Sequence, residues 1–126
     1  MLRLMPVKYS LKTKLSTPKY QETRAFYEAV FGMTVVEEWN EFGDVGAILA
    51  FPGGCQEAFL EIYEVDDQEV FDGLSLQFRV DSITEFMAAL SDNIEFEGPT
   101  DRPWGSKYLY LRDPNNIQVI VYEGGL

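Results

Sequence analysis

Apolar and polar residues alternate with a period of two through most of this chain, and with a helical period in two places. The two-residue period is clearest near the end, where "KYLYLR" and "IQVIVYE" place aliphatic residues on one side and phenols on the other. The same reading predicts strands at "YSLKTKLS", "MTVVEEW", "VGAILAF", "AFLEIYEV", "LSLQFRV" and "IEFEG". In "STPKYQETRAFYEAVFG", Thr23, Phe26, Tyr27 and Val30 recur at helical spacing, with Thr17 as N-cap, Pro18 at the first helical position and Gly32 as the stop. In "DSITEFMAALSDN", Ser82 and Glu85 have capping-box spacing ahead of a stripe of Ile83, Phe86, Met87 and Leu90.

Each helix follows one strand and precedes three, and the helices begin about 60 residues apart. The pattern predicts an α+β domain over residues 1–126, made of two β-α-β-β-β modules at about 8–65 and 73–123. The acidic stretch at about 66–72 connects them. Alternation assigns the faces. Leu11, Leu15, Leu60, Ile62, Leu74, Leu76, Phe78, Val80, Leu109, Leu111, Ile117, Val119 and Val121 share the side expected under the helices. The other side carries Lys12, Lys14, Phe59, Glu61, Tyr63, Ser75, Gln77, Arg79, Tyr108, Tyr110, Gln118, Ile120 and Tyr122. Aromatic walls with a few placed polar groups describe a ligand cup. A solvated face with tyrosines paired across strands is the alternative.

Composition narrows the chemistry. With 126 residues, 46% hydrophobic and 25% charged, the chain is long enough for one globular core and has no apolar run of membrane-spanning length. The start lacks a continuous apolar segment, so a signal peptide is not expected and the location read from the sequence is cytoplasmic. A net charge of −11 disfavours nucleic acid and anionic membrane surfaces as partners. That charge either attracts a cationic small molecule or simply keeps the protein dissolved. Histidine is absent and Cys55 is the one cysteine, an ordinary loop thiol by its surroundings. Ser-His and Cys-His nucleophile pairs, and zinc sites built on His or several Cys, are therefore excluded.

Three motifs in order, "RAFYEAVFGM", "FRVDSITEF" and "PWGSKYLYLRDPNN", resemble the vicinal oxygen chelate superfamily of glyoxalase I, extradiol dioxygenases, fosfomycin resistance proteins and bleomycin resistance proteins. The resemblance implies paired β-α-β-β-β modules with strongly curved mixed sheets around a cup. It places the family's metal-ligand positions at Lys12, Glu61, Ser75 and Ile120, with Glu123 as the alternative to Ile120 if the register slips. Lysine, serine and isoleucine do not make a divalent-cation site with one glutamate, so no metal and no other cofactor is expected. Within the family the chain is most similar to the metal-free bleomycin-resistance branch, which implies a homodimer that sequesters a small molecule. Trp104 falls where that branch uses an aromatic on its cleft. Lys12, Lys14 and Arg79 favour an anionic or neutral ligand over a cationic antibiotic.

The expected ligand-binding residues are Lys12, Trp39, Phe59, Glu61, Tyr63, Gln77, Trp104, Tyr108 and Tyr110. Trp104, Tyr108 and Tyr110 should line the cup, with Glu61, Tyr63 and Gln77 approaching from neighbouring strands. For Trp104, plain rim packing is an equal reading, and for Trp39, near a strand end, the plainer one is cap packing at the dimer interface or cleft rim. Glu61, between Phe59 and Tyr63, is the best candidate acid or base, and an ion pair with Lys12 or Arg79 is its plainer role. The expected function is metal-independent small-molecule binding. The alternatives are a metal-free lyase or isomerase using Glu61 or a Tyr as acid or base, and a structural domain whose cup is a relic.

Overall fold

The computed structural model describes residues 7–54 and 56–125, and Cys55 lies outside the described residues. The chain divides into two compact units, one ending at Gln68 and one starting at Glu69. Each is a mixed four-stranded sheet with one helix, in the same element order.

The first unit runs β1 (Leu11–Thr17), α1 (Tyr20–Phe31), β2 (Thr34–Glu41), β3 (Asp44–Ala50) and β4 (Ala58–Glu64). Its strand order is β1-β4-β3-β2, with β1 and β4 parallel and the other pairs antiparallel. A parallel pair needs a long crossover, and here α1 and the β2–β3 hairpin lie between its two strands in sequence. The core holds Leu15, Leu49, Leu60 and Ile62 from the strands and Tyr20, Thr23, Tyr27 and Val30 from α1. Tyr20 thus extends the predicted stripe by one turn, whereas Phe26 is half-buried. Gly32 closes the helix in the left-handed region at φ 65°, where a side chain is strained.

The helix start differs from expectation. Thr17 is the last residue of β1 and not the N-cap, because its carbonyl still accepts from the Val65 N–H at 3.1 Å. Its hydroxyl turns the chain by accepting from the Lys19 N–H at 2.8 Å. Lys19 takes the cap position without a side-chain cap bond, and Pro18 lies in the connection. Arg24 ties the helix to β2, bonding Glu28 at 2.6 Å and Glu38 at 2.7 Å. Leu11 departs from the aliphatic assignment, being exposed at the open start of β1.

The second unit runs β5 (Ser75–Arg79), α2 (Ile83–Ala89), β6 (Glu97–Asp101), β7 (Lys107–Arg112) and β8 (Gln118–Glu123), in the order β5-β8-β7-β6. Leu109, Leu111, Ile117, Val119 and Val121 are buried on the helix side, and Leu74 is exposed ahead of β5. Ser82 caps α2 by accepting from the Glu85 N–H at 3.1 Å, as its spacing predicts. The helix is short, and of its stripe Ile83 is buried while Phe86, Met87 and Leu90 are half-covered.

The strand expected at "IEFEG" forms three residues later, as β6. The Ile94 N–H turns back to the Ser91 carbonyl at 3.1 Å, and a bulge between Glu97 and Thr100 carries Pro99 on the sheet edge. Proline has no N–H for a ladder, so an edge bulge is where it fits. Asp113 closes the β7–β8 turn, its carboxylate accepting from the Asn115 and Ile117 N–H groups at 2.8 and 2.9 Å. No helix among the described residues is long and apolar enough to cross a membrane.

Candidate functional site

In each unit the sheet face turned away from the aliphatic core gathers the expected site residues. On the first sheet, Lys12 pairs with Phe59, Lys14 with Glu61, and Ile48 with Glu61, so these residues share that face. Glu61 is 7% exposed. It lies 3.5 Å from the Lys12 ammonium and 3.9 Å from that of Lys14. The Lys14 ammonium also stands 4.2 Å from the centre of the Tyr63 ring. Glu61 therefore has the ion pair with Lys12 that its plainer role required. Arg79, the other expected partner, instead bonds the Gly124 carbonyl at 3.1 Å and approaches Asp81 at 3.9 Å.

Trp39 lies within β2 on this same face, two residues short of the strand end. Its cross-strand partner is Gly46, which in turn pairs with Tyr63. The indole covers Gly46 so closely that a Cβ there would overlap the ring. This explains a glycine inside the strand "VGAILAF", where its missing side chain otherwise weakens the sheet. The indole N–H donates to the Asp44 carboxylate at 3.0 Å. A hydrogen bond to Asp44, and the charge of that carboxylate, push the Tyr63 phenol above its ordinary value. The row Trp39, Asp44, Tyr63, Lys14, Glu61 and Lys12 is thus linked from end to end.

The second sheet face is different. Tyr108 pairs with Tyr122, Tyr110 with Ile120, and Gln77 with Ile120, which places all five on one face. The rings pack against one another, Tyr108 lying 5.7 Å from Tyr122 and 6.2 Å from Tyr110 between centroids. Trp104 meets Tyr108 edge-on at 6.0 Å. These contacts are each worth about 0.5–1.5 kcal/mol beyond area burial, yet Trp104 stays 54% exposed and the tyrosines are half-buried. Ile120, the position the resemblance implies, stays in register on this face opposite Gln77 and Tyr110. The Glu123 carboxylate is used elsewhere, accepting from the Ile83 N–H at 2.8 Å at the start of α2.

One residue here was not singled out from the sequence. The β6–β7 turn is closed by the Gly105 N–H to the Arg102 carbonyl at 3.0 Å and the Arg102 N–H to the Ser106 carbonyl at 2.8 Å. Pro103 presets the first corner of such a turn, and the turn folds Arg102 back over the aromatic row. Its guanidinium carbon lies 4.8 Å from the Trp104 ring centre and 5.4 Å from that of Tyr108. Its Nη1 donates to the Tyr110 hydroxyl at 3.4 Å. A signal was available, since Arg two residues before Trp in a Pro-Gly turn brings a cation and an indole to the same side.

Two β-α-β-β-β units with mixed sheets define an α+β protein of the paired-module class. Residues 11–121 match the Glyoxalase/Bleomycin resistance protein/Dioxygenase superfamily, and the chain belongs to that family. Among solved structures it is similar to TnmS3, an antibiotic binding protein from Streptomyces sp. CB03234, at 15% identity and TM-score 0.77 over 96% of this chain and 99% of that one. It is also similar to the fosfomycin resistance protein FosX from Listeria monocytogenes, at 16% identity and TM-score 0.75 over 97% of both chains. Lactoylglutathione lyase from Agrobacterium tumefaciens shares 22% identity and TM-score 0.69 over 94% of this chain and 96% of that one. No curated protein sequence matches the chain.

The donors at the family's metal-ligand positions do not fit a divalent cation. Glu61 is already flanked by two ammonium groups, the Ser75 hydroxyl is buried without a partner, and Ile120 is a buried hydrocarbon. An ammonium offers no lone pair and repels a metal ion, and hydrocarbon offers nothing. Among the described residues, no three His, Cys, Asp or Glu side chains cluster.

Proposed function

We propose that this chain is a metal-independent small-molecule binding protein whose ligand surface is the aromatic face of the second sheet. The carrying observation is the row of Trp104, Tyr108, Tyr110 and Tyr122, which pack together and remain partly exposed. Rigid aromatic walls supply contact area at little entropic cost, and a few polar groups orient what they hold. Gln77 supplies one such group further along the face. The first-sheet row of Lys12, Lys14, Trp39, Glu61 and Tyr63 is read as framework, because Glu61 is paired with both lysines, Lys14 also stands over Tyr63, and the Trp39 indole N–H is bonded to Asp44.

Metal independence is supported by Lys12 and Ile120 at metal-ligand positions. A drug-sequestering role is supported by the similarity to an antibiotic binding protein and to a fosfomycin resistance protein. A homodimer belongs to the same reading. Each sheet has one helix, of 12 and 7 residues, to cover one face, which leaves the other for a ligand or a second copy.

Thermal-shift measurements against a panel of planar antibiotics, with EDTA and with Zn²⁺ or Mn²⁺, test the reading. A ligand that binds the native state raises the melting temperature, and the shift should be the same in EDTA. Stabilisation that appears with metal alone contradicts the proposal.

A further inference from the structure

We propose that the second sheet takes a planar aromatic anion and that Arg102 is the residue that selects it; this rests on the binding reading above. In a chain of net charge −11, strand register places Arg79 and Arg112 on this face, and the β6–β7 turn adds Arg102. Glu97, opposite Tyr110 on the edge strand, is the carboxylate the strand register puts there, and Asp81 lies 3.9 Å from Arg79 just beyond the end of β5. Asp101 pairs with Lys107 on the helix side.

The three arginines differ in what remains for a ligand. Arg79 spends its Nε on the Gly124 carbonyl, and Arg112 spends its Nη1 on the Asn116 carbonyl. Arg102 makes one long bond, to the Tyr110 hydroxyl, and has no carboxylate partner among the described residues. Its Nε is buried with no acceptor. A buried donor left unmatched is costly, and a guanidinium's donors match an anion's oxygens. Packing against Trp104 and Tyr108, whose rings stand 76° apart, holds the guanidinium in place and spares it the rotamer entropy of a free arginine. A flat ring packed against one of these tilted aromatics brings an attached carboxylate to the edge of Arg102. A lysine at this position would keep the charge and lose the fork of donors.

The test is calorimetric titration of the native chain with 2-naphthoate, its neutral isostere 2-naphthamide, and 2-naphthylmethylammonium. The naphthoate should bind about tenfold tighter than the amide, the scale of one added charge-assisted hydrogen bond near a surface. The ammonium probe should bind weakest. Raising the salt from about 50 to about 500 mM should shrink the naphthoate advantage, because screening acts on exposed charge. Arg102→Gln should remove the advantage of naphthoate over the amide. If the amide matches naphthoate in the native chain, the anion inference is overturned while the binding reading stands. Tighter binding of the ammonium probe also overturns it. If none of the three binds, the binding reading falls and the inference with it. Should Arg102→Gln fail to fold, the selectivity and salt dependence of the native chain still decide.

Discussion

The two sheets have the same strand order and the same parallel and antiparallel pairs, but they treat the face away from the core in opposite ways. On the first, Glu61 is enclosed by Lys12 and Lys14, and Asp44 accepts from Trp39 and Tyr63, so each polar group has a partner from the same sheet. On the second, rings pack against rings at tilted and edge-on angles, and the buried Nε of the cation lying over them has no acceptor. A duplicated framework therefore carries one face that satisfies itself and one with capacity to spare. That difference, and not the fold, is the ground for proposing the second sheet as the ligand surface.

The largest expected effect breaks the first face. Gly46→Val drives a branched side chain into the Trp39 indole and should destabilise the protein by about 3 kcal/mol in urea denaturation, the upper range for overpacking. Trp39→Ala in the same chain should recover much of that loss, because the clash needs both partners. Next comes Tyr108→Ala, which should weaken 2-naphthoate binding by about 1–3 kcal/mol, the cost of losing an aromatic anchor. Tyr63→Ala should leave that affinity unchanged, and calorimetry on the two variants compares the faces directly.

Glu61→Gln removes the charge between two half-exposed lysines. It should cost about 1 kcal/mol at low salt and less at high salt, as for a partly screened pair. The smallest effect is spectroscopic. The Tyr63 phenol is held above its ordinary value of 10.0 by Asp44, so its neutral form is the one favoured by folding. Its stabilising contribution is present below that pH and is lost as the pH rises through the higher folded value. Phenolate absorbance should show a late-titrating tyrosine that returns to the ordinary range in Asp44→Asn.

Much of this was legible in the chain. The alternation in "KYLYLR" correctly separated Tyr108 and Tyr110 from the buried Leu109 and Leu111, because a sheet with one buried face fixes its register. The Ser82 cap and the Gly32 stop also followed from local chemistry. The failures are non-local. Thr17 looked like a cap, but its carbonyl is claimed by Val65, far along the chain. β6 formed late because Pro99 is tolerated at the sheet edge, which local pattern does not reveal. Trp39 and Gly46 are informative as a pair, and their pairing depends on a bulge between Val35 and Glu37 that sets the register. The position of Arg102 depends on which way its turn folds.

Because each unit carries one tryptophan, the central claim has a built-in reporter. Indole N–H resonances of Trp39 and Trp104, followed during titration with 2-naphthoate in EDTA, report the first and second sheets separately. The account predicts that the Trp104 signal moves in a saturable way while the Trp39 signal, bonded to Asp44, stays in place. Movement of Trp39 with Trp104 unchanged, or a response that requires added divalent metal, contradicts it.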